Sequence, residues 1–290
     1  MKIRIGTRGS RLALAQTNMA AEEIRKYYPE IEVEIVKIST KGDRIIDEPL
    51  TKIGGKGIFV SEIERMLKSG EIDMAVHSAK DLPVILAEGT LIGAVLKRGN
   101  PRDVLAVRAG TSVNKTSRLL IKTSSLRRRN ALSRLYPNAN FDDIRGNVDT
   151  RLCKLSSFDC DALVLAAAGL ERLGLNKDER FDFYEFPENT VIPAPCQGII
   201  AVQSRSGEFC EILRKINDDD TYKCFETERE VIRLLDAGCT TPIGTYAELR
   251  GNEIKISAVI GSADYAGSAP VSDRLNLAGK AVNELLWKKG

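Results

Sequence analysis

The sequence predicts an α/β protein of two α/β lobes followed by a smaller α+β domain. Three observations predict it. Strand-like and helix-like segments alternate through the first hundred residues. A breaker-rich linker, KRGNPRD (97–103), then opens a second alternating unit. Beyond about residue 219 the alternation gives way to a helix, a meander and a last helix. Alternating strands and helices imply a mostly parallel sheet with helices on its faces. A chain of 290 residues has room for about two or three domains of ~100–150 residues each.

In order, KIRIG (2–6) alternates apolar and polar residues as a half-buried strand does, and Ser10 to Tyr28 is helical in pattern, stopping at Pro29. VEIVKIS (33–39) reads as the second strand. GIFVSEIERMLKSG (57–70) sets Ile58, Phe59, Ile63, Met66 and Leu67 on one helical face and ends at glycine. IDMAVHS (72–78) is the third strand. In the second unit DVLAVRA, RLLIKTS, NFDDIRG and DALVLAAAG read as strands, with SLRRRNALSRLY and VDTRLCKL as helices. NTVIPAP (189–195) is a second hinge, after which GIIAVQS (198–204) is again a strand. The last domain has a helix (TERE…IRLL), a hairpin turn at Gly251-Asn252 and a final helix to Trp287. The lobes are therefore expected at 1–98 with 196–216 and at 99–195, and the C-terminal domain at 217–290. Two lobes joined by paired crossings make a cleft, where ligands bind. No internal sequence repeat is visible.

Composition excludes several classes. Lys and Arg number 43 against 40 Asp and Glu, a balance too even to argue for nucleic acid. The N-terminus lacks an apolar signal core, and no run approaches ~18 apolar residues, so a cytoplasmic protein without a membrane span is expected. The six cysteines form no CxxC pair and only one histidine could join them, which argues against zinc and for free thiols.

That histidine lies in HSAKDLP (77–83). His77 and Ser78 are neighbours on a strand and point to opposite faces, Asp81 is poorly placed behind the ring, and there is no GxSxG elbow, so a serine hydrolase is disfavoured. Residues beyond the C-terminal ends of parallel strands face the ligand crevice, which offers Ser78, Lys80 and Asp81 to a ligand. Arginines recur at strand-to-helix junctions: Arg8 and Arg11 around the cap Ser10; Arg127, Arg128 and Arg129 after the cap Ser124 or Ser125; Arg145 and Arg151 around Gly146; and Arg172 in AAAGLERLG. Cations at a helix N-terminus oppose its dipole by a few tenths to about 1 kcal/mol each. A bound anion reverses that sign, and the planar guanidinium suits carboxylates and phosphates. IGGKGIF (53–59) fails the P-loop pattern but reads as a mobile lid. In DAGCTTPIG (236–244), Cys239 sits in a loop between Gly238 and Pro242, where a thiol is accessible as a nucleophile. A non-catalytic anion-binding protein would share the lobes and arginines but would need neither Asp81, Cys239 nor the third domain. A nucleic-acid binder would require a basic run interleaved with aromatics or a known motif, and neither is present.

Together TRGSRLALAQ, GGKGIF, HSAKDLP, TSSLRR, IRGNVDTRL, AAAGLERL, CQG and GCTTPIG occur in the order found in the porphobilinogen deaminase (hydroxymethylbilane synthase) family, which the chain resembles over nearly its whole length. The resemblance implies two periplasmic-binding-protein-like α/β lobes and a C-terminal domain. It implies a transferase that joins four porphobilinogen units head to tail into linear hydroxymethylbilane, releasing ammonia, in tetrapyrrole (porphyrin and heme) biosynthesis. A dipyrromethane cofactor would be attached by a thioether to Cys239. Asp81 matches the catalytic aspartate, which protonates the departing amine and stabilises positive charge on pyrrole nitrogens. Ser78, Lys80, Ser125, Arg127, Arg128, Gly146 and Lys56 are expected at the cofactor. Arg8, Ser10, Gln16, Arg145, Arg151, Arg172 and Gln197 are expected at the substrate, and Phe59 in the lid, with His77 structural. The implied protein is a cytoplasmic monomer without metal, nucleic-acid or membrane partner. Departures from the family pattern are Cys196, where a small residue such as glycine is common, Asp149 in place of a glycine found in some members, and Arg129 as a third arginine.

Overall fold

The structure is a computed structural model that describes residues 1–40, 60–236 and 241–289. The chain divides into two compact units, Met1–Gly99 with Ile199–Phe225, and Asn100–Gly198 with Glu226–Gly290. The expected second lobe and the C-terminal domain thus fall in one contact unit.

In the first unit, strand β1 (Lys2–Arg8) leads to helix α1 (Arg11–Tyr27), and β2 (Glu32–Ile38) pairs parallel to β1. After α2 (Ser61–Lys68), β3 (Met74–Ser78) pairs parallel on the other side of β1. β4 (Thr90–Val95) and β10 (Ile200–Arg205) complete a sheet of order β2-β1-β3-β10-β4. Ile3 and Ile5 of β1 pack with Ala20 and Ile24 of α1 and with Leu213 and Ile216 of α6 (Cys210–Ile216) on one face. On the other face Ile38 and Ala75 pack with Ile63 and Leu67 of α2. Gly6 lies on that second face, where a Cβ would come within 2.4 Å of Ile72 Cδ1 and 2.9 Å of Ile38 Cδ1. Only glycine fits there without movement.

The second unit holds β5 (Asp103–Arg108), β6 (Leu120–Lys122), α3 (Leu126–Leu135), β7 (Asn140–Asp142), α4 (Val148–Ser156), β8 (Ala162–Ala166), α5 (Ala167–Arg172) and β9 (Phe181–Glu185). Its sheet order is β7-β6-β8-β5-β9. Val104, Ala106, Leu163 and Leu165 pack on Leu152 and Leu155 of α4, while Leu105, Val107 and Val164 pack on Leu132 of α3. Burial on both faces explains why DVLAVR and ALVLA read as continuous apolar runs.

The sheets are more mixed than the alternation implied. β10 runs antiparallel to β3 and β4, and β5 runs antiparallel to β8 and β9. Each is the strand laid down as the chain crosses from one unit to the other, and it enters its sheet against the local direction. The two strand orders correspond position by position, with the crossing strand fourth in each.

The C-terminal part of the second unit is an antiparallel meander of β11 (Ile243–Arg250), β12 (Glu253–Ile260) and β13 (Ala263–Pro270), followed by α8 (Arg274–Lys289). Leu285 of α8 packs with Ile243, Ala258 and Ile260. In the sequence, α7 (Asp219–Leu234) follows α6 and precedes β11. Its fully buried Glu228 accepts from Cys196 N at 2.5 Å and from Ala247 N at 2.7 Å, joining the crossing segment to β11. Thr245 N donates to Pro193 O at 3.0 Å, and a Cβ on Gly244 would stand 2.8 Å from Ile192 O. Cys196 itself has φ 60°. That left-handed conformation is one glycine adopts freely and other residues adopt at a cost.

Candidate active site

In the first unit the polar residues collect where β1 and β3 end. Ser10 caps α1, its Oγ accepting from Ala13 N at 3.2 Å. One turn on, Gln16 is buried and its Oε1 accepts from Ser78 Oγ at 2.9 Å. This bond fixes the end of β3 to α1. The chain then turns through a short 3-10 segment, Ala79–Asp81, anchored by Ala79 N donating to Ile199 O at 3.0 Å. Lys80 and Asp81 stand exposed on that turn. Arg8, Ser10, Gln16, His77, Ser78 and Asp81 line a cavity of about 80 Å³. Lys56, Phe59 and the expected lid lie outside the described residues.

His77 faces the opposite side of β3 from Ser78. Its Nε2 lies 3.0 Å from Gln203 Oε1. Gln203 is fully buried, and its Nε2 donates to Glu64 Oε1 at 3.0 Å and to Thr90 Oγ1 at 2.8 Å. Burial pushes the imidazole down to about 4, against the opposing effect of the Gln203 bond, and nearby Arg8 lowers it further.

In the second unit Ser125 caps α3, accepting from Arg128 N at 3.4 Å. Ser124 Oγ donates to Ile144 O at 2.8 Å and accepts from Ile144 N at 3.0 Å, tying the loop before α3 to the loop before α4. Arg127 and Arg128 are buried on a single carboxylate, that of the fully buried Asp103. Arg127 Nη1 donates to Asp103 Oδ2 at 2.6 Å and to Ile192 O at 2.7 Å. Arg128 grips Asp103 Oδ1 through Nε at 3.0 Å and Nη2 at 2.7 Å, and its Nη1 donates to Val164 O at 2.8 Å. Gln197 Nε2 adds a bond to Asp103 Oδ1 at 3.0 Å and another to Pro101 O at 2.7 Å. Burial alone would raise the Asp103 carboxyl; the two guanidinium groups outweigh it and hold it far below the ordinary carboxylate range. Burial lowers the Arg127 guanidinium, which Asp103 partly restores. Two cations on one anion leave a surplus positive charge, and Arg127 Nε is buried without a hydrogen-bond partner.

The other junctions are half-buried. Gly146 takes φ 109°, outside the range of other residues, and a Cβ there would meet Thr150 Cγ2 at 2.8 Å. Asn147 caps α4 by accepting from Thr150 N at 2.9 Å, and Arg151 Nε donates to Gly146 O at 2.8 Å, between Arg145 and the helix. Arg172 Nη2 donates to Gly198 O at 2.6 Å, and burial pushes its guanidinium down to about 10. Arg129, the extra arginine, pairs with exposed Asp143 at 3.0 Å. The structure thus gathers Arg8, Ser10, Gln16, Ser78 and Asp81 in one unit and Arg127, Arg128 and Gln197 around Asp103 in the other. Cys239 lies outside the described residues. Sequence reasoning missed Asp103, Gln203, Glu64 and Glu228. Asp103 and Gln203 did carry a signal, being polar residues within otherwise apolar strand runs.

Polar side chains gather at strand ends in an α/β fold, and in the second unit two buried guanidinium groups share one carboxylate, a chemistry suited to anions. The chain belongs to the porphobilinogen deaminase family. Residues 3–210 match the family model described as porphobilinogen deaminase, dipyromethane cofactor binding domain, and residues 222–278 match porphobilinogen deaminase, C-terminal domain. A probable porphobilinogen deaminase of Archaeoglobus fulgidus is 45% identical over 86% of this chain and 84% of its own length. The porphobilinogen deaminase of Syntrophomonas wolfei is 42% identical over 99% of this chain and 96% of its own. Among solved structures, the periplasmic VFT2 domain of Bordetella pertussis BvgS covers 74% of this chain and 86% of its own at 14% identity and a TM-score of 0.44, too distant to inform the site.

Two outcomes are expected. Asp103→Asn would strand two buried guanidinium groups and should destabilise the protein by about 3–5 kcal/mol in denaturant unfolding; a loss under 1 kcal/mol would mean that the cluster does not hold this unit. The folded imidazole of His77 titrates near 4, whereas the unfolded one titrates at about 6.5. Between those values the unfolded chain binds the extra proton, so stability falls as pH drops from about 6.5 toward 4, by on the order of 3 kcal/mol. Asp103, depressed below its unfolded value, loses its contribution only at lower pH. Thermal melts from pH 7.5 to 4.5 should show this slope, and His77→Gln should flatten it.

Proposed function

We propose that this chain joins four porphobilinogen molecules head to tail into linear hydroxymethylbilane, with Asp81 as the catalytic acid. The observation that carries the reading is the surplus charge at Asp103, Arg127 and Arg128. A pyrrole bearing acetate and propionate supplies the carboxylates such a cluster lacks, and the buried Arg127 Nε is a donor awaiting an acceptor. A dipyrromethane group therefore fits these residues. Cys239 would hold it by a thioether, and Ser78, Lys80, Lys56, Ser125, Arg127, Arg128 and Gly146 would bind its polar edges. When bound, that group supplies the primer end on which the product is built.

The chain's own residues do the rest. Arg8, Ser10, Gln16, Arg145, Arg151, Arg172 and Gln197 bind and orient the substrate carboxylates. Porphobilinogen must lose its aminomethyl nitrogen as ammonia, leaving positive charge on the pyrrole. Asp81, exposed on a turn anchored at Ala79, is free to give a proton to the departing amine, and its carboxylate then stabilises the cationic ring. The enzyme is proposed to work in the cytoplasm as a monomer without nucleic acid. Among the described residues no helix is long and apolar enough to cross a membrane.

Asp81→Asn keeps the shape of the side chain and removes its acid. It should melt within 1–2 °C of the parent and lose about 100-fold or more in turnover of porphobilinogen. Undiminished turnover would remove Asp81 from the chemistry.

A further inference from the structure

We propose that His77 is a substrate-positioning group whose unprotonated Nδ1 accepts a hydrogen bond from a pyrrole N–H bound beside Asp81. The inference rests on the reading of the site given above. It follows from the direction of a hydrogen-bond chain. Thr90 Oγ1 donates to Ala87 O at 2.7 Å, so toward Gln203 it is an acceptor. Glu64 Oε1 accepts from Ala87 N at 3.0 Å and from Gln203 Nε2 at 3.0 Å. Both protons of the Gln203 amide nitrogen are thereby committed, and its Oε1 is left to accept. Facing that oxygen at 3.0 Å, His77 Nε2 must be the protonated nitrogen. The neutral ring then carries a bare lone pair on Nδ1.

His77 is 8% exposed, and it is among the residues lining the cavity that holds Arg8, Ser78 and Asp81. An acceptor on such a wall can take a donor from a bound ring. The donors a porphobilinogen ring offers are its pyrrole N–H and its aminomethyl group; its carboxylates offer none. Among the described residues the charged groups around the ring are Arg8 from β1, Asp81 from the turn after β3 and, through Gln203, Glu64 from α2. Burial and Arg8 both oppose protonation, so Nδ1 stays an acceptor at neutral pH. Asp81 supplies the acid, and His77 takes no proton in the reaction.

The test uses the fact that His77 is the sole histidine. A long-range proton–nitrogen spectrum of the ¹⁵N-labelled protein therefore contains one imidazole. It should show the Nε2–H tautomer at pH 7. The Nδ1 resonance should move upfield as a hydrogen bond forms, either when the apo protein is converted to holoenzyme or when holoenzyme is saturated with porphobilinogen. An Nδ1–H tautomer, an imidazolium, or an Nδ1 signal unmoved by both steps would overturn the proposal. If in that case Asp81→Asn were still inactive, the reading of the site would stand without His77. Two variants separate positioning from structure. His77→Asn keeps an acceptor near Nδ1 and loses the Gln203 bond; His77→Gln does the reverse. KM for porphobilinogen should rise about 10-fold in His77→Gln, with kcat changed much less, and should be largely retained in His77→Asn. The opposite order would assign the ring a structural role through Gln203 and refute the proposal.

Discussion

Two guanidinium groups share one carboxylate in the interior of the second unit, and much of that unit is arranged around the sharing. Asp103 opens β5, Arg127 and Arg128 lie in the first turn of α3, and Gln197 follows the returning crossing segment. These three parts of the chain meet at two carboxylate oxygens. Desolvating two cations and one anion is costly, and their attraction offsets it only when nearly every polar atom is satisfied. The carbonyls of Ile192 and Val164 and the amide of Gln197 meet that demand. Satisfaction stops short at two atoms of the cluster, Arg127 Nε and Gln197 Oε1, and one positive charge remains in excess. A cluster of this kind rigidifies the unit that contains it.

The rest of the fold brings polar side chains to strand ends. β1 and β3 are parallel neighbours, so Arg8, Ser78 and the turn carrying Asp81 emerge on the same edge of the first sheet. Ser10 and Gln16 reach that edge because only two residues separate β1 from α1. In the second unit the caps Ser125 and Asn147 begin α3 and α4 in the same way, and Ser124 ties their loops together. The crossing strands β5 and β10 carry the buried polar anchors of each unit, Asp103 and Gln203. Glu228 bonds the crossing segment at Cys196 to the C-terminal meander at Ala247. That bond and the closeness of Gly244 to Ile192 explain why the meander and the second sheet form one compact unit.

Much of this was legible in the sequence. The strand and helix alternation and the capping serines follow from local chemistry, which is where sequence reasoning is strongest. Three strands went unread. TLIGAV is interrupted by Gly93, FDFYE carries charge on its exposed face, and ADYAGSAP is rich in small residues, so none has a clear apolar period. The direction of β5 and β10 was not legible either, because it depends on where a strand enters its sheet. The arginines at the start of α3 were read as needing an anion to offset the helix dipole. The chain provides one itself, 24 residues earlier in sequence, and only the fold brings Asp103 to them. The shared strand order of the two sheets left no repeat in the sequence, since topology constrains hydrophobic pattern rather than residue identity.

The central claim is that this chain builds its product on a pyrrole group held by Cys239. Cys196, the cysteine of the CQG motif, is 1% exposed, and its backbone is bound to Glu228. It is therefore a poor attachment site. The most direct measurement is the intact mass of the purified protein before and after incubation with porphobilinogen, followed by peptide mapping of the added mass. The account predicts two linked pyrrole units on Cys239, growing by single units as substrate is added. A protein that carries no pyrrole on any cysteine after that incubation, or carries it on Cys196, would contradict it.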